Sequence, residues 1–110
     1  MLFSASVSRN LKAGKKQLAM YACFRIVVSG KVQGVFFRKH ARQHAEQLHI
    51  TGYVKNLENG NVELVICGNP DDLKKMVTWC HHGPAGAVVE SVQVNESGVQ
   101  KFSAFEIKYF

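Results

Sequence analysis

The stretch Gly30-Lys31-Val32-Gln33-Gly34-Val35-Phe36-Phe37-Arg38 places two glycines four apart ahead of an arginine. Glycine accepts backbone conformations that side-chain-bearing residues resist, so the chain can curl here. Such a curl can turn several successive N–H groups inward and make a nest for an anion. Arg38 falls where a helical pattern begins, so its planar fork and the helix N-terminus can address one charge together. Phosphate suits that arrangement. A strand-to-helix turn with a surface arginine suits the same residues, and the stretch alone does not choose between the two. The second candidate is Asn56, a carboxamide at a strand end that donates and accepts at once. It can hold a water beside an anion gripped by the loop, or it can simply shape the hairpin that follows.

These residues need elements to position them. From Cys23 to Ser29 the chain alternates, with Phe24, Ile26 and Val28 on one face and Cys23, Arg25, Val27 and Ser29 on the other, which predicts a strand with one buried face. After the loop, Phe37, Ala41, Ala45 and Leu48 recur at intervals of four and three, an amphipathic helix. Ile50 to Asn56 and Val62 to Cys67 read as strands joined through Asn59-Gly60, a strong hairpin signal. Asn69-Pro70-Asp71-Asp72 then supplies a cap, a proline at the first helical position and acids in the first turn. Leu73, Met76, Val77 and Cys80 line one side of this second helix, and His82-Gly83-Pro84 stops it. Ala87 to Val94 reads as a strand, and Phe105, Ile107 and Tyr109 alternate in a last one.

The order is strand, helix, strand, strand, helix, strand, plus a C-terminal strand. It predicts an α+β, ferredoxin-like split βαβ sandwich: an antiparallel sheet with two helices on one face and an extra C-terminal strand. In this arrangement the second strand is expected at an edge. The fold alone leaves function open, because such sandwiches carry RNA binders, regulatory ligand domains, metal carriers and enzymes.

Several segments together carry a resemblance. Gly30-x-Val32-Gln33-Gly34-Val35-x-Phe37-Arg38, then Gly52-Tyr53-Val54-x-Asn56 and Gly60-x-Val62-Glu63, resemble the two signature segments of the acylphosphatase family. Gly83-Pro84-x-x-Ala87-x-Val89-x-x-Val92 and the closing Phe105-x-Ile107-Lys108-Tyr109 are similar to that family as well. The likeness runs from about residue 22 to 109. It implies hydrolysis of the carboxyl–phosphate bond of acyl phosphates to carboxylate and inorganic phosphate, with no cofactor, metal or covalent enzyme intermediate. Arg38 would bind the phosphoryl group and Asn56 would orient the attacking water. The N–H groups of Val32, Gln33, Gly34, Val35, Phe36, Phe37 and Arg38 would complete the cradle. Positioning a water in line and stabilising charge on the equatorial oxygens can supply most of such a rate. Two departures, Lys108 where arginine is common and Phe110 beyond the usual terminal aromatic, bear only on contacts of the chain end.

Composition narrows the partners. The chain has 110 residues, enough for one domain, and a formal charge of +6. Residues 1–20 hold Arg9, Lys12, Lys15 and Lys16 and no acid; the rest carries ten basic against eight acidic residues, +2, an ordinary globular balance. That speaks against a nucleic-acid footprint. An RNA-reading sheet would also display aromatics on its open face, whereas Arg25, Val27, Glu63 and Val65 offer none and Tyr53 stands alone. No apolar run is long enough to span a bilayer. The expected partner is a small acyl phosphate met by a cytoplasmic monomer, with neither nucleic acid nor membrane. A domain that binds a small anion without turning it over is the other reading. Residues 1–20 are basic and serine-containing, loosely like a transit peptide. They read as a flexible tail without catalytic part, or as extra residues ahead of a start at Met20, with the domain over 21–110.

The remaining chemistry-bearing residues are read more plainly. His40 and His44, four apart on the first helix, have ligand spacing but no third partner, so a solvated helix face is expected rather than a metal site. His81 and His82 complement a helix end. Cys23 opens the first strand and Cys67 closes the third, its antiparallel neighbour, on the face away from Ile26 and Leu64. They can be cross-strand disulfide partners, while a reducing cytoplasm opposes the bond, and both outcomes stay open. Cys80 is expected to be an inert core residue.

Overall fold

The computed structural model describes residues 21–109. The expected tail over 1–20 lies outside them. The elements are β1 (Ala22–Lys31), α1 (Phe37–Gln47), β2 (Thr51–Asn56), β3 (Val62–Gly68), α2 (Pro70–Cys80), β4 (Val88–Glu96) and β5 (Phe105–Lys108).

The alternation in β1 does what it predicts. Ile26 and Val28 are fully buried beneath the helices, while Cys23 packs on the opposite face with Val65 and Cys67. Phe37, Ala41 and Ala45 of α1 and Leu73, Met76 and Cys80 of α2 press onto the first face. The two helices meet through the Phe37 and Trp79 rings, 5.0 Å apart. At the start of α2 the Asn69 side chain accepts from the Asp71 N–H at 2.9 Å, and Pro70 follows as the first helical residue.

The five strands lie in the order β4-β1-β3-β2-β5. All neighbours are antiparallel except β2 and β5, which run parallel. The expectation that β2 forms an edge is therefore overturned. Only four residues long, β5 returns across the sheet, and the Gly52 N–H donates to the Ala104 carbonyl at 3.0 Å as it docks. Two glycines permit the close strand contacts. A Cβ on Gly52 (φ 134°) would overlap the Val65 carbonyl, and one on Gly30 (φ 121°) the Val88 carbonyl.

The face opposite the helices is not open either. Residues 97–104 cross it on the way from β4 to β5. Gln100 donates its N–H to the Cys23 sulfur at 3.3 Å, and Phe102 meets the Tyr53 ring edge-on at 6.1 Å. Val65 and Glu63, read from the sequence as outward positions, are only 3% and 7% exposed. Glu63 is satisfied there: Arg25 Nε donates at 2.6 Å, the Tyr53 hydroxyl donates at 3.1 Å, and Lys55 Nζ lies 3.9 Å away. Burial, then the Glu63 carboxylate, raises the Tyr53 phenol above its ordinary pKa.

Cys23 and Cys67 stand directly opposite each other across β1 and β3, with Cα atoms 4.1 Å apart and sulfurs joined as a disulfide. Cys80 is fully buried, and burial alone pushes its thiol up to about 12. Among the described residues no helix is long and apolar enough to cross a membrane.

Candidate functional site

The loop between β1 and α1 turns on two residues of positive φ, Gly34 (74°) and Phe36 (62°), the second being the N-cap of α1. Alternating left-handed residues of this kind are what curl successive N–H groups to one side. Among the described residues, the N–H groups of Gly34 to Lys39 meet no acceptor in the protein. Phe36 supplies no side-chain cap, and the first turn of α1 holds no acid. It holds Arg38 and Lys39 instead. A helix start that is uncapped and flanked by cations has its whole positive end available to an anion.

Beside this loop lies a cavity of about 310 Å³, at the small end of ligand-sized pockets. Val32, Gly34, Phe36, Phe37 and Arg38 line it from the loop and Asn56 from the end of β2. Arg38 and Asn56, eighteen positions apart in the chain, thus face one space. Val32 and Phe37 are buried and anchor the loop's two ends in the core. Val35, also expected in the cradle, packs half-buried against that core and does not line the cavity.

Gln33 belongs to the loop but does different work. Its Nε2 donates to the Leu57 and Asn61 carbonyls, both at 2.8 Å. These are the two residues that close the hairpin after Asn56, where the Leu57 N–H donates to the Asn61 carbonyl at 2.8 Å. One carboxamide therefore clamps the loop to the neck of the hairpin that carries Asn56.

Two contributors escape the sequence reading. The parallel pairing of β5 with β2 matches Lys55 to Lys108, which sets Tyr109 one step further on, level with Asn56. The Tyr109 ring lies 4.8 Å from the Arg38 guanidinium carbon, and Arg38 Nη1 donates to the Lys108 carbonyl at 3.4 Å. The chain end thus orients the arginine, and the Lys108 side chain turns away to cover the Tyr53 ring at 4.3 Å. The second contributor is Lys39, which lines the cavity beside Arg38.

The histidines go elsewhere. His40 Nδ1 donates to the Phe36 carbonyl at 2.9 Å and His44 stacks on Trp79 at 4.8 Å. His82 Nδ1 donates to the Thr78 carbonyl at 3.1 Å near the end of α2. Among the described residues no three His, Cys, Asp or Glu side chains converge.

The profile of the family described as Acylphosphatase matches residues 24–107. A curated protein from Coxiella burnetii named Acylphosphatase is 46% identical over 86 residues, 78% of this chain and 90% of its own length. A solved acylphosphatase structure from Coxiella burnetii superposes with a TM-score of 0.81 at 43% identity, covering 84% of this chain and 98% of that one. The crystal structure of the Bacillus subtilis acylphosphatase gives 0.77 at 33% identity, covering 82% and 100%. The chain belongs to the acylphosphatase family.

Proposed function

We propose that this acylphosphatase hydrolyses the carboxyl–phosphate bond of acyl phosphates by in-line attack of a water held at Asn56 on a phosphoryl group gripped by Arg38 and the loop. The observation that carries this reading is the single cavity shared by Arg38, Asn56 and the uncapped start of α1. The guanidinium fork can bond two equatorial oxygens, while the loop N–H groups take others. Charge developing in the transition state then meets donors already in place. The Asn56 carboxamide oxygen accepts a hydrogen bond from the water and fixes its line of attack. A carboxylate is a good leaving group and needs no general acid, and the proton the water gives up as it attacks can pass to the substrate phosphate. Arg38 and the helix start supply the positive charge that other phosphoryl-transfer sites draw from a metal ion.

The low residual charge of the domain supports a small-molecule substrate rather than nucleic acid. The same reading has the enzyme acting as a cytoplasmic monomer. The test is turnover of benzoyl phosphate by purified protein with and without a chelator, the rate being expected to stay unchanged. Arg38→Ala should lose turnover and inhibition by inorganic phosphate together. Asn56→Ala should lose turnover, about a hundredfold or more, and keep the inhibition. Near-normal turnover in Asn56→Ala would remove the water-positioning role.

A further inference from the structure

The loop makes two demands on residue 36, and only one concerns the backbone. Its φ of 62° is comfortable for glycine and strained for phenylalanine. Two residues earlier the same loop meets the same need with Gly34, where a Cβ would touch nothing within 4 Å. Position 36 keeps a large aromatic ring instead, and that ring adds nothing to the core, being 71% exposed. Strained in its backbone and hydrated on its ring, Phe36 is held for what the ring meets from solvent.

A second exposed aromatic shares the rim. Tyr109 is 70% exposed, lines the same cavity, and rests on the Arg38 guanidinium. The floor is therefore polar and cationic, and the rim is aromatic. We infer that Phe36 and Tyr109 form an acyl-group subsite that favours acyl phosphates with flat, apolar aryl groups over those with small acyl groups. This rests on the hydrolase reading above and names the substrate class of that site. With the phosphoryl group on the loop, the acyl group projects toward the rim. Ring contact and apolar burial grip an aryl carbon skeleton and find little to hold in an acetyl group. The contact lies away from the reacting phosphorus, so it acts in ground and transition states alike and lowers KM more than it raises kcat.

The experiment compares kcat/KM for benzoyl phosphate and acetyl phosphate in the full chain, in Phe36→Asn, which tolerates the left-handed backbone, and in Phe36→Tyr, which keeps a ring. Phe36→Asn is expected to lower the benzoyl-to-acetyl ratio about three- to tenfold, mainly through KM for benzoyl phosphate. Phe36→Tyr should return the wild-type ratio. An unchanged ratio in Phe36→Asn, with both rates kept or both reduced alike, overturns the subsite. Wild-type protein inert toward both substrates would instead sink the hydrolase reading, and the subsite with it, before any variant is made.

Discussion

Gln33 is the residue whose replacement tests most sharply how the loop and Asn56 are held in relation to each other. Its Nε2 makes two hydrogen bonds of 2.8 Å, to the carbonyls of Leu57 and Asn61. At about 0.5–1.5 kcal/mol each, Gln33→Ala removes ~1–3 kcal/mol. Both carbonyls belong to half-exposed residues, so water can replace the lost donor and the lower half of that range applies. In a domain of this size that is a fall in Tm of about 4–16 °C. The kinetic effect should be larger than the thermal one suggests. The clamp sets the distance between the loop and the hairpin neck, and a misplacement of ~1 Å at a reacting group can cost about a hundredfold. Because Arg38 and the loop N–H groups remain, the loss should fall on kcat, while the inhibition constant for inorganic phosphate moves little.

The assay is benzoyl phosphate hydrolysis at saturating substrate, paired with phosphate inhibition and thermal unfolding. Gln33→Glu serves as the control for shape, since it keeps the length but turns oxygens toward two carbonyls and should do worse than alanine. Wild-type kcat in Gln33→Ala would refute the clamp. Phosphate inhibition that weakens in step with kcat would refute it equally, because the loop rather than its link to the hairpin would then have been lost.

Two further outcomes are expected. Gly52→Ala must push its Cβ into the Val65 carbonyl and should cost more than ~3 kcal/mol in urea unfolding, whereas Gly34→Ala meets no atom and should cost only the left-handed conformation, about 1–2 kcal/mol; equal costs would refute the steric account. Thiol titration should find none in the native oxidised protein, one after denaturation (Cys80, whose burial pushes it up to about 12) and three after reduction, and three before reduction would remove the Cys23–Cys67 bond.

What the sequence made legible is what local chemistry dictates. The alternation of β1, the Asn59-Gly60 hairpin and the Asn69-Pro70-Asp71-Asp72 helix start each follow from neighbouring residues, and each forms where expected. Arg38 and Asn56 were legible as candidates through their types and surrounding segments, and they line one cavity. The place of β2 was not legible. It depends on a four-residue parallel strand that arrives after residues 97–104, a crossing without periodicity whose one apolar anchor is Phe102. Long-range parallel pairing leaves no local signature. The same pairing carries Tyr109 to Arg38, so the error over the edge and the missed site residue have one cause.

The two helix starts of this chain solve one problem in opposite ways, and the contrast locates the site. Both leave several N–H groups without helical partners. At α2, Asn69 caps them and Asp71 and Asp72 complement the dipole. At α1 there is no side-chain cap and no acid, and two cations occupy the first turn behind a left-handed phenylalanine. The missing cap costs ~1 kcal/mol, each adverse charge about 0.3–1 kcal/mol, and the backbone of Phe36 about 1–2 kcal/mol. A total of about 3–5 kcal/mol is a large share of the stability of a domain this small. None of it is recovered by core packing at Phe36, Arg38 or Lys39, all of which remain outside the buried cluster. A phosphate dianion on the loop would reverse the sign of the capping and dipole contributions at once. On the proposed reading, the stability withheld from the free protein would reappear as affinity for the phosphoryl group.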